Sequence, residues 1–189
     1  RSSPQPGTSD LLDFFRANRD LFVRDNIPYP NKNNPLVESW RKSSQALEVD
    51  VLLVEFKFGF PSLDITSSTV LGSELFYQTN LPEYQFTLLD SSLTAKGAPP
   101  LVWLFNQLIS DDRIRPASIT KVSCKRQREE LQFVMNGNLQ VDIAVPSLMK
   151  KHAKAAEQVG NQVLKSFVQK ESKQGLSKFQ SAYQRWRQQ

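Results

Sequence analysis

The chain has 189 residues, 39% of them hydrophobic and 23% charged, and carries a net charge of +5. That is the length of one domain, enough for folding to bury roughly 70% of the unfolded chain's surface, and the composition is that of globular rather than disordered proteins. The longest strictly apolar run, Leu101 to Phe105, falls far short of the ~20 residues a helix needs to cross a bilayer, so a soluble chain is expected. Cys124 is the only cysteine, which excludes an internal disulfide and a cysteine metal cluster.

Arg1 to Gly7, all small, polar or proline apart from one arginine, have nothing to bury and read as a disordered lead-in, with one domain expected over residues 8–189. Such a start could also be what a removed targeting peptide leaves. Thr8 or Ser9 can then cap a helix in which Leu11, Phe14, Phe15, Leu21 and Phe22 recur at helical spacing, and Pro28 bounds it. Pro28 to Pro35 reads as loop, with one or two helical turns over Leu36 to Lys42.

From Leu47 the period changes to two. Leu47, Val49, Val51 and Leu53 alternate with polar residues, and then Val54, Phe56 and Phe58 do so in the opposite phase. A phase flip within one run predicts a bulge or bend near Leu52 to Val54. Further strands are expected over Leu63 to Leu71, Glu74 to Gln78 and Tyr84 to Leu89. Pro99 and Pro100 can open a short apolar helix running to about Ile109, and strands return over Ile119 to Arg126 and Leu131 to Val145. Within the latter, Asn136-Gly137 reads as a hairpin with a three-residue loop that pairs Met135 with Leu139 and Phe133 with Val141.

From Ser147 the pattern is helical again. Leu164, Val168, Glu171, Gly175, Phe179, Ala182 and Trp186 form one stripe. Leu164, Val168 and Phe179 are expected to be buried, with Lys165, Lys170, Lys173 and Lys178 in solvent. At Gly175 either the backbone approaches a neighbour closely or the helix breaks. Residues 146–189 carry nine Lys/Arg against two Asp/Glu, whereas the preceding 145 carry fifteen against seventeen. This basic tail is a solvated helix face, or a surface for an anionic membrane or a protein partner. The fold class expected from these elements is α+β, a meandering antiparallel sheet packed on a long C-terminal helix.

Residues for chemistry are scarce. His152, the single histidine, would have to serve any Ser-His-Asp or Cys-His arrangement, yet it sits among Lys150, Lys151 and Lys154, whose charge opposes proton uptake. Cys124 occupies an apolar strand position. The carboxylate pairs Asp111-Asp112 and Glu129-Glu130 lack the spacing of a calcium loop, and the seven glycines form no phosphate-cradling loop. Lys125, Arg126 and Arg128 could meet phosphates and Phe86 or Phe133 could stack bases, but these rings share the apolar phase of their strands and Glu129 follows directly, so nucleic acid is disfavoured. No catalytic residue, metal or cofactor is expected, and the chain does not read as an enzyme.

Three elements in order carry a resemblance: the strand Leu139 to Pro146 ending in proline, the helical Val159-Gly160-Asn161-Gln162-Val163-Leu164 segment, and the closing Tyr183 to Trp186. Over residues 131–187 the chain resembles a family of uncharacterised cyanobacterial and plastid proteins that are similar to START-type helix-grip domains. The resemblance implies a curved sheet gripping the C-terminal helix around an apolar cavity. It also implies a setting in the plastid stroma, on thylakoids or in a cyanobacterial cytoplasm. Under that reading the protein binds a lipid, pigment or other apolar ligand between Phe56, Phe58, Phe86 and Phe133 of the sheet and Val168 of the helix. Asp50, Glu55, Lys57 and Cys124 could add polar contacts. The Pro-Pro-Leu-Val-Trp-Leu-Phe helix is either buried, or a lid with Trp103 as its gate, or a membrane-contacting finger. The alternative is a protein-interaction or assembly factor with a filled core, meeting its partner through the basic helix or the 100–109 helix.

Overall fold

Apolar residues on both sides of the central strands organise this molecule. The computed structural model describes residues 8–23, 26–31, 33–78, 81–110, 114–127, 130–143 and 153–188, so the expectations for residues 1–7 and His152 lie outside the described residues. The fold is α+β. A six-stranded antiparallel open sheet in the order β1-β2-β3-β4-β5-β6 is built from Ile27–Pro28, Glu48–Phe60, Leu63–Gln78, Leu81–Gly97, Ile114–Gln127 and Glu130–Ile143. Four helices accompany it: α1 (Thr8–Ala17), α2 (Pro35–Ser43), α3 (Pro99–Ser110) and α4 (Ala153–Trp186). A single 3-10 turn over Arg19–Leu21 extends α1.

Successive strand residues point to opposite faces, and both faces of β2 are covered. Leu52 and Val54 are buried in the main core with α1 and α4, with Phe56 packed against it. Val51 is buried on the other face with Val37 of α2 and Val70 of β3, flanked by Leu53, Tyr29 and Trp40. This explains the phase flip without a bulge. Contrary to the expectation at Leu52 to Val54, β2 pairs with β3 in unbroken register from Glu48↔Leu75 to Phe60↔Leu63. The irregularity lies one strand further on. Between β3 and β4 the register shifts at Val70/Leu71, leaving Leu89 as the extra residue, and Leu89 turns onto the α2 face beside Val51 and Val70.

Two further expectations are corrected. The segments 63–71 and 74–78 are one 16-residue strand, because Gly72 and Ser73 stay paired with Val51 and Asp50. No hairpin forms at Asn136-Gly137. Strand β6 runs straight through it, with Asn136 opposite Lys121 and Gly137 opposite Thr120, and the β5–β6 connection falls after Gln127↔Glu130. Met135 therefore pairs with Val122 and Phe133 with Cys124 across two strands, which keeps all four apolar groups on the core face.

The α2 face closes on a glycine. Trp40 lies flat against the backbone of Gly72, and a Cβ there would come within 2.4 Å of its ring. Beside it the buried carboxylate of Glu74 accepts from Ser44 Oγ at 2.5 Å and from Gln85 Nε2 at 3.0 Å. A buried charge demands such donors, and these two fasten the end of α2 to β3 and β4. Replacing Gly72 by Ala must displace the indole; overpacking of this kind costs ~1–3 kcal/mol. Chemical denaturation of Gly72→Ala is expected to show that loss, and G72A/W40A is expected to lose less than its two single changes together.

Candidate functional site

The space between the sheet and α4 is where the family resemblance implies a ligand, and around Phe179 the chain's own side chains occupy it. Helix α1 presents Leu11, Phe14 and Phe15 on one side at i, i+3 and i+4, and all three are buried. Phe179 of α4, fully buried, meets Phe14 at 4.9 Å, Phe15 at 5.0 Å, Phe22 at 4.5 Å and Phe133 at 5.0 Å between ring centroids. Tyr183 stands edge-on to Phe14 and Phe133, and Tyr84 stacks on both Phe15 and Phe86. Edge-to-face and offset contacts at these separations are the favourable ones for aromatic rings.

Two of the four sheet residues expected to line the gap, Phe86 and Phe133, lie in this packed cluster. The other two, Phe56 and Phe58, are half-buried further along β2 and meet Phe167 of α4 at 6.1 and 4.7 Å. Val168 is half-buried, as is Leu164, so the stripe on α4 is tight at Phe179 and looser toward its N-terminal end. Lys165, Lys170, Lys173 and Lys178 are all exposed, as expected. Gly175 does not break α4: it is buried, with a Cβ position 3.6 Å from the Phe22 ring and 3.7 Å from the Leu21 carbonyl.

Trp103 is not buried. It is 64% exposed on α3, which contacts β4 and whose Phe105 is buried. Asp50 does face the helices, but Glu55 and Lys57 point into solvent. Asp50 takes an ion pair from Arg19, and Glu48 one from Arg16 at 2.6 Å. These pairs edge a polar cavity of about 50 Å³ bordered by Ser73, Leu75 and Tyr84. A ligand pocket is typically 300 Å³ or more, so this space suits a solvent molecule or two. The ion pairs are partly exposed and screened by solvent, so they align α1 and the turn after it on β2 without fixing them alone.

The chemistry available is correspondingly quiet. Among the described residues no three His, Cys, Asp or Glu side chains gather as metal ligands. Burial pushes the Cys124 thiol up to about 11, and its Sγ donates a long 3.9 Å contact to the Pro82 carbonyl. A neutral, enclosed thiol is a poor nucleophile. Burial also pushes the Tyr84 hydroxyl up to about 12 from 10.0, with the Arg19 charge opposing the rise. Among the described residues no helix is long and apolar enough to cross a membrane. No protein-family model matches the chain, and no significant match to it exists among curated proteins or solved structures.

The residues missed from the sequence are Phe14, Phe15 and Phe167. Their helical phase signals burial but carries no information on which partner buries them.

Three outcomes test this packing. Phe179→Ala, which empties the centre of the cluster, is expected to lower unfolding free energy by ~3–5 kcal/mol, read by urea denaturation, whereas Glu171→Ala at an exposed position leaves it nearly unchanged. Cys124 is expected to resist a thiol-specific reagent at neutral pH in the native protein and to react fully once denatured. Because folding raises the Tyr84 value, its contribution to stability is complete below pH 10 and is lost as pH climbs toward about 12. Thermal melts across that window are expected to fall less steeply for Tyr84→Phe than for the wild type.

Proposed function

We propose that the protein is a non-enzymatic interaction module of helix-grip, START-like type whose grip is closed on its own aromatic side chains. It works by surface contact with a partner protein, as an assembly factor does, rather than by enclosing a small molecule. The observation that carries this reading is the occupation of the sheet–α4 gap by Phe14 and Phe15. Interiors tolerate few voids larger than a water molecule, and a ligand here would first have to expel two buried phenylalanines.

The contact surface in this reading is the outer side of α4. Lys165, Lys170, Lys173, Lys178, Arg185 and Arg187 are exposed along it against only Glu157 and Glu171, which fits an acidic partner surface and salt-sensitive association. A plastid stroma, a thylakoid surface or a cyanobacterial cytoplasm is the setting that goes with the family resemblance.

A second reading keeps the apolar ligand, and one observation favours it. Phe56, Phe58, Leu164, Phe167 and Val168 are only half-buried at the N-terminal half of α4, so a lipid tail or pigment would enter there. Incubation with oleic acid or a thylakoid lipid extract, followed by native mass spectrometry, separates the two. The interaction reading expects the mass of the chain alone; one stoichiometric lipid or pigment retained, and released by Phe167→Glu, overturns it in favour of the ligand.

A further inference from the structure

Two uncharged segments meet at one end of the sheet. Phe58 to Leu63, around the β2–β3 turn, and Gly97 to Ser110, which includes α3, contain no Asp, Glu, Lys or Arg. They are joined by a hydrogen bond from the Ala98 N–H to the Ser62 carbonyl at 3.0 Å. Gly97, at φ +145°, lies so close that a Cβ would come 2.3 Å from the same carbonyl oxygen. The two segments thus meet as one tip.

The tip shows water what a fold normally hides. Pro61, Pro99 and Pro100 are exposed, Leu101 is 38% exposed and Trp103 64% exposed, whereas Phe105 is buried. Cations stand behind it. Lys57 and Lys96 are exposed on the strands that lead into the two segments. Glu55 and Asp64 are the acids nearest in the strands, and Asp64 sits opposite Lys96 in the β3–β4 register.

We infer that this tip docks on an anionic lipid bilayer, with Leu101 and Trp103 entering the headgroup boundary and Lys57 and Lys96 over the lipid phosphates. Tryptophan, apolar in body with one N–H donor, settles at that boundary. Interfacial binding needs only a modest apolar insertion reinforced by nearby positive charge. A stable protein interface buries about 800 Å² on each partner, more than two side chains and three prolines provide. The tip lies outside the packed interior, so the inference stands whichever way the interior question is decided, and it gives the interaction module a surface to work on.

Sedimentation with vesicles of phosphatidylcholine, alone or mixed with phosphatidylglycerol, tests it. The wild type is expected to sediment with the mixed vesicles and its tryptophan emission to shift to shorter wavelength. Trp103→Phe, which keeps the apolar bulk, is expected to retain binding and lose the shift, because Trp40 and Trp186 stay in the fold. L101S/W103S is expected to bind at least about tenfold more weakly, some 1.4 kcal/mol, with unchanged circular dichroism, and K57E/K96E to lose the preference for anionic vesicles. A wild type that stays in the supernatant with mixed vesicles overturns the inference and assigns the tip to a protein partner. Equal sedimentation of L101S/W103S overturns it as well.

Discussion

Phe179 enters the molecule from its longest helix and is enclosed by rings from α1, from the turn after it and from β6. Every layer of the main core depends on that enclosure. Without Phe179, the rings of Phe14, Phe15, Phe22 and Phe133 would all border one void, and α1 would lose its closest ring contacts to α4. Apolar burial stabilises by roughly 25 cal/mol per Å². A fully enclosed ring therefore outweighs any one of the surface ion pairs several times over. The charged contacts orient α1, and the aromatic contacts hold it.

Much of this could be read from residue order alone, because it rests on local periodicity. The i, i+3, i+4 placing of Leu11, Phe14 and Phe15 announces a helix with one buried side, and the steps from Leu164 to Trp186 announce another. Pro99-Pro100 marks the start of α3. What periodicity does not contain is the identity of the neighbour. The phase flip in β2 was legible as a flip, but a second covered face and a bulge produce the same pattern. Only the position of α2, with Trp40 seated on Gly72, distinguishes them. Asn136-Gly137 has the composition of a turn, yet pairing of Asn136 and Gly137 with Lys121 and Thr120 outweighs that local preference.

The candidate site was harder still. A helix that is apolar on nearly every side, as α3 is from Leu101 to Phe105, has no phase from which to tell its inner residues from its outer ones. The exposure of Trp103 beside the burial of Phe105 is therefore a property of docking, not of sequence. The same holds for Phe86 and Phe133. Their alternation assigns them correctly to the face toward α4, but whether that face meets a ligand or α1 depends on contacts such as that of Phe15 with Phe133, more than a hundred positions apart.

That separation has a consequence for how the molecule comes to exist. The sheet is a strict meander in which each strand pairs with its neighbours in the chain, so it can zip together strand by strand, through short connections at β2–β3, β3–β4 and β5–β6 and longer ones where α2 and α3 intervene. The seal between α1 and α4 is the opposite, a contact between the first and last described elements that no hairpin anticipates. Loop closure of that length is paid in entropy before any ring is buried. The strands from Glu48 to Ile143 can thus assemble with their apolar face still open to solvent, and a polypeptide growing from its N-terminus must keep Tyr84, Phe86 and Phe133 from sticking to other chains until α4 has been made. In this protein the vulnerable moment of synthesis is the interval between the last strand and the last helix.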